Sequence, residues 1–207
     1  FSAPVKLAMA TSPEELLFLL RTDSDSFNRW QAAQRLATSA LIAGTGAVRS
    51  GKAARFEPAF IDALLEVAGN EALEPAFRAQ VLALPAESDI AREIGTDIDP
   101  DAIAAARNGL RAAIAERAGA RLAALAAEVA EKAPYSPDAG SAGRRALANV
   151  ALDLTTGNRD PDAVARIAER FRTADNMTDR LAALALLAAG GFAERLAAFD
   201  AFYERYR

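Results

Sequence analysis

From Ile103 to Val129 the apolar residues recur every three or four positions, as Ile103, Ala106, Leu110, Ile114, Ala118, Leu122, Leu125 and Val129. A period near 3.6 places them on one side of an α-helix; a strand, whose side chains alternate every second residue, has no use for it. Asp99-Pro100-Asp101 opens the stretch. It offers a capping carboxylate, a proline suited to the first turn and an acid that complements the helix dipole. A helix with one long apolar stripe needs other elements to cover that stripe. The rest of the chain supplies more segments of the same kind.

Ser12-Pro13-Glu14-Glu15 reads as a capped start with Glu15 closing a capping box, and Leu16 to Leu20 then predict a helix buried on most sides. Asp23-Ser24-Asp25-Ser26 breaks it and caps a second helix with the face Phe27, Trp30, Ala33, Ala37 and Leu41. Residues 44–51, glycine at both ends, are expected to form a loop. Next come a helix with Phe56, Phe60, Leu64 and Val67, one opened by Glu74-Pro75 and stopped by Pro85, and a short one near Ile90 to Ile94. The long helix, with a bend expected near Gly119, leads into an irregular connection at 132–143. Three further helices carry Leu147 to Leu154, Val164 to Phe171 after Asp160-Pro161, and Leu181 to Leu187 after Asn176, the last stopping at Gly190-Gly191. A final helix carries Phe192, Leu196, Phe199, Tyr203 and Tyr206 as an aromatic stripe.

Residues 1–9 read differently, since Val5, Leu7 and Met9 alternate with Lys6 and Ala8 in a short strand pattern. The expected fold class is therefore all-α: a solenoid-like array of helical pairs, nine or ten helices in all, preceded by one short N-terminal β-strand. A compact irregular bundle is the alternative.

Composition then narrows the chemistry. The 207 residues contain no Cys and no His. Disulfides, thiolate nucleophiles, imidazole or thiolate zinc sites and Ser-His-Asp systems are excluded for this chain, and no cofactor is expected in it. With 24 Lys+Arg against 28 Asp+Glu the net charge is −4, unsuited to nucleic acid or an anionic membrane as main partner. The apolar run Leu181 to Ala193 is too short to span a bilayer. The chain starts at Phe1 rather than Met, which suggests a piece of a longer polypeptide.

Several motifs reduce to ordinary readings. Gly46 to Lys52 matches G-x-x-x-x-G-K, but Ala53 stands where a phosphate-binding loop needs Ser or Thr, and a helix precedes it instead of a strand. Asp97, Asp99 and Asp101 alternate like a calcium loop, yet Pro100 interrupts and capping explains them better, as it does Asp160 and Asp162. Glu66, Glu71 and Glu74, and Glu128 with Glu131, are carboxylate sets read as solvated faces. Arg144-Arg145 and Arg166, Arg170 and Arg172 are basic clusters offset by Glu169 and Asp175. Trp30 is read as core, although both it and Tyr135 could serve as ligand platforms.

Four stretches in order carry a resemblance: Phe1 to Leu7; Asp23-Ser24-Asp25-Ser26-Phe27-Asn28-Arg29-Trp30-Gln31-Ala32-Ala33-Gln34; Leu82 to Ser88 followed by Ile98-Asp99-Pro100; and Ala174 to Leu184. Together they resemble the C-terminal region of the bacterial aminopeptidase N family, the zinc-dependent alanyl aminopeptidases. The resemblance implies that residues 1–10 end an upstream β-sandwich and that 11–207 form the first part of a helical C-terminal domain. It implies a non-catalytic piece that caps the zinc cleft of a cytoplasmic parent enzyme and restricts its access to peptide substrates. The family holds zinc with His-Glu-x-x-His and a later Glu, and none of these can be placed here. The partners implied are the remaining domains of the same polypeptide, with zinc bound there. Asp23, Asp25, Phe27, Asn28 and Arg29 are the candidate interdomain contacts, because the run is richer in polar and aromatic residues than capping requires. The competing readings are an independent helical-repeat module binding protein or nucleic acid, and a self-contained enzyme using carboxylates.

Overall fold

The computed structural model describes residues 11–130 and 134–207, and among them holds ten α-helices. They are α1 (Pro13–Thr22), α2 (Ser26–Arg49), α3 (Pro58–Ala68), α4 (Pro75–Leu82), α5 (Glu87–Ile94), α6 (Pro100–Val129), α7 (Ala139–Thr155), α8 (Pro161–Thr173), α9 (Met177–Ala189) and α10 (Arg195–Tyr206).

The fold class needs one correction. The described residues form an all-helical array with no strand, so the architecture is all-α rather than an array preceded by a β-strand. Val5, Leu7 and Met9, on which the strand was expected, lie outside the described residues. Among the described residues the backbone hydrogen bonds run within helices, turns and caps, and none belongs to a strand ladder.

Helix α6 organises the array. Its predicted stripe is its buried face: Leu110, Ile114 and Leu122 are at most 1 % exposed. Helix α2 packs on one side of α6 and α7 on another, with α5 against it as well. Helix α4 lies on α7 and also touches α2 and α3, so the packing reaches past neighbours in sequence. Gly143 makes the α4–α7 approach possible, because a Cβ there would stand 2.9 Å from the Ala76 nitrogen. Beyond α7, α8 pairs with α9, and α10 rests on α9.

Capping chemistry sets most helix starts. Ser12 and Glu15 form the expected box, with Glu15 N–H donating to Ser12 Oγ at 3.1 Å and Ser12 N–H to Glu15 Oε2 at 2.8 Å. Asp25, Asp99, Asp160 and Asn176 each accept from a backbone N–H in the first turn of α2, α6, α8 and α9.

Four boundaries differ from expectation. Helix α2 continues through Gly44 and Gly46 to Arg49, where a loop was expected. Gly44 is buried, and a Cβ there would meet Ala106 and Ala54, so contact with α6 offsets the poor helix propensity of glycine. Phe56 precedes α3 and packs against the core from the connection. Helix α7 begins at Ala139 inside the expected irregular stretch, capped by Asp138. Phe192 sits in the turn before α10 and is buried there, with Arg159 over its ring.

Candidate functional site

The corner between α1 and α2 gathers the five residues singled out from the sequence. Asp23 ends α1, and its carboxylate accepts from Asp25 N–H at 2.8 Å and from Asn28 Nδ2 at 3.3 Å. Asp25 caps α2 by accepting from Phe27 N–H at 2.7 Å. Arg29 turns inward: it is buried, its Nε donates to the Leu20 carbonyl at 2.9 Å, and its guanidinium lies 5.9 Å from the Phe77 ring centre. That one side chain satisfies an orphan carbonyl of α1 and ties α1, α2 and α4 together. Phe27 turns outward, 60 % exposed, with its ring tilted against Trp30 at 5.7 Å. Trp30 is only partly buried.

The structure thus divides the five. Asp23, Asp25, Asn28 and Arg29 shape and lock the corner, whereas Phe27 lies exposed on its surface. The sequence reading missed Phe18, which is 65 % exposed on α1 although its run was expected to be buried on most sides. The missing signal was the narrowness of the buried stripe, since α1 buries only Leu16 and Leu20. A second apolar surface lies on α10, where Leu196, Phe199, Tyr203 and Tyr206 are all exposed.

The other motifs settle into structural roles. Gly46 to Arg49 form the last turn of α2, so their N–H groups are helical and do not cradle phosphates. Asp99 caps α6, while Asp97 receives Arg49 Nη2 at 2.5 Å. Glu66 pairs with Arg21 Nε at 2.6 Å across α1 and α3. Arg170 joins Asn149, Asp179 and Asn176 in a network between α7, α8 and α9, with Arg170 Nη2 3.0 Å from Asp179 Oδ1. Arg172 pairs with Glu169 within one turn, and Arg145 lies 4.6 Å above the Tyr135 ring. Asp62 takes both Nε and Nη2 of Arg117 at 2.6 Å, and this holds its carboxyl below the usual carboxylate range. Glu131 lies outside the described residues. Among the described residues no helix is long and apolar enough to cross a membrane, and no set of three or more acidic side chains is placed to hold a metal ion.

The family model described as "Domain of unknown function (DUF3458_C) ARM repeats" matches residues 13–207. The chain belongs to this family. Over all of its length it is 36 % identical to aminopeptidase N of Caulobacter vibrioides, covering 24 % of that protein. It is 31 % identical to aminopeptidase N of Escherichia coli over its whole length, covering 23 % of that protein. Aminopeptidase N of Haemophilus influenzae is 32 % identical over 90 % of the chain, covering 21 % of that protein. The chain therefore spans about a quarter of the length of the curated relatives it matches. Among solved structures, Legionella pneumophila aminopeptidase A in complex with aspartic acid superposes with a TM-score of 0.81 over 98 % of this chain and 24 % of that one, at 22 % identity, a likeness of fold. The resemblance to the aminopeptidase N family read from the sequence holds, and the helical array is the ARM-repeat domain.

Proposed function

We propose that this ARM-repeat domain is the first part of the helical C-terminal domain of a cytoplasmic zinc-dependent aminopeptidase that removes N-terminal residues from peptides. In this reading the domain is non-catalytic; it covers the zinc cleft and restricts entry to peptides and unfolded chain ends. One observation carries the proposal: aminopeptidase N matches the whole of this chain, while the chain spans only about a quarter of aminopeptidase N. The residues present do not fit zinc, for without His or Cys a zinc site would rest on carboxylates alone. In this reading the metal belongs to the rest of the polypeptide, and this chain supplies packing surface. The α1–α2 corner is the proposed contact with those other domains, through Phe27 and the neighbouring Trp30, with Asp23, Asp25, Asn28 and Arg29 setting its shape.

The test is a paired assay of alanine-anilide hydrolysis and zinc content, on this chain and on the complete product of its gene. Activity with stoichiometric zinc in the complete product alone is expected. Inactivity in both would overturn the aminopeptidase reading in favour of an independent helical-repeat binding module. Activity in this chain would overturn the non-catalytic role.

A further inference from the structure

A cavity of about 210 Å³ opens between the end of α3, the start of α4 and the second half of α6. Four charged side chains from three places in the sequence line it: Glu71, Arg78, Arg121 and Glu128. Arg78 is 4 % exposed, and its Nε donates to the Ala68 carbonyl at 2.7 Å. The ends of its guanidinium have no partner among the described residues. Neither terminal nitrogen is sealed from solvent without a partner, so the end of the guanidinium opens onto the cavity with its donors free. Arg121, Glu71 and Glu128 are exposed at the cavity's rim, and none of the three forms an ion pair within 4 Å among the described residues. Two cations and two anions thus face one small space without closing on each other. The remaining wall is apolar, with Leu65, Leu122 and Leu125 among its residues.

We propose that this cavity binds a free α-amino acid with an apolar side chain. The guanidinium forks of Arg78 and Arg121 receive the carboxylate, Glu71 and Glu128 receive the ammonium group, and the leucine wall takes the side chain. The balanced lining disfavours a simple anion or a simple cation, each of which would meet two like charges. The volume suits a group of single-residue size. Gly69 keeps the site open, because a Cβ there would lie 2.7 Å from Arg121 Nη2. The obstructing atom is the far end of a flexible side chain, so Gly69→Ala displaces Arg121 while leaving the backbone of α3 in place.

Isothermal titration of this chain with L-leucine, L-leucinamide and 4-methylpentanoate tests the site. Saturable binding of leucine is expected, with affinity at least tenfold weaker for leucinamide, which lacks the carboxylate, and for 4-methylpentanoate, which lacks the ammonium. Gly69→Ala and Glu128→Gln are each expected to weaken leucine at least tenfold with an unchanged far-UV circular dichroism spectrum. Glu128 is exposed, so its variant remains informative should Gly69→Ala fail to fold. No saturable heat from leucine in folded protein would overturn the proposal. Equal binding of leucine and 4-methylpentanoate, or undiminished binding by Glu128→Gln, would do the same. The inference goes beyond the aminopeptidase reading and survives its failure, since the binding is measured on this chain without any peptidase assay.

Discussion

Helix α6 buries eleven of its thirty residues, whereas α10 buries Ala198 alone among its twelve. Both carry apolar side chains at helical spacing, Leu110-Ile114-Ala118 in one and Leu196-Phe199-Tyr203 in the other. The difference lies in their neighbours. Helix α6 runs between α2 and α7, with α5 and α3 also against it, and its stripe is buried along its length. Helix α10 touches α9, and its aromatic face stays open, with Tyr203 65 % exposed. Periodicity specifies a helix and the face that could be buried; whether that face is buried depends on what the topology brings to it.

The largest expected effect breaks the comparison directly. Leu110→Ala removes a fully buried side chain from the most enclosed helix and is expected to cost about 2–5 kcal/mol in urea unfolding. Phe199→Ala removes a larger side chain from the open face of α10 and is expected to stay within about 0.5 kcal/mol. Equal costs for the two would show that α10 is covered in solution, and sedimentation would then reveal self-association.

A smaller effect separates two glycines. A Cβ at Gly157 would stand 2.1 Å from the Arg111 carbonyl oxygen and 2.6 Å from the Ala112 nitrogen, because the α7–α8 turn presses on the backbone of α6. Gly191, before α10, has φ +63 and open space around its Cβ position. Gly157→Ala is expected to cost about 1–3 kcal/mol through forced backbone movement. Gly191→Ala is expected to cost about 1 kcal/mol through the left-handed conformation alone. Thermal melts should rank Gly157→Ala as the more damaging; the reverse order would mean that the turn yields more easily than the packing implies.

Gly46→Ala is expected to stabilise by about 0.5–1 kcal/mol, since Gly46 is an exposed helical residue with nothing within 4 Å of its Cβ position. The same urea measurement checks it. Destabilisation would mean that the end of α2 is not helical in solution.

These glycines also show where the sequence was legible. Helix starts were readable because capping is local: Ser12, Asp25, Asp99, Asp160 and Asn176 all act within three residues of themselves. The stripe of α6 was readable because one face carries it without interruption. The end of α2 was not, because Gly44 earns its place by contact with Ala106, sixty-two positions away. Arg117 with Asp62 and Arg111 with Asp153 are likewise joined only by the fold. At the corner, the capping roles of Asp23 and Asp25 could be anticipated, but not that Arg29 would turn inward and Phe27 outward. The charged cavity was hidden altogether, since Glu71 and Glu128 appear in separate sets whose convergence depends on α3 meeting α6.

The smallest effect sharpens the comparison at a helix start. Asp138 caps α7, and its carboxyl is held well below the usual carboxylate range, first by the Ser136 hydroxyl and then by the backbone N–H and hydroxyl of Ser141. A carboxyl with a lowered folded-state pKa contributes stability that is fully present above its unfolded value, about pH 4, and is lost as pH falls further toward the folded value. Glu194, at the corresponding place before α10, makes no side-chain cap. Asp138→Asn keeps a capping oxygen and removes the titration, so urea midpoints of the variant and the parent chain should differ by a constant amount between about pH 5 and pH 7 and converge below about pH 4. No convergence below pH 4 with Asp138→Asn would show that the acid sensitivity resides elsewhere than in the cap of α7.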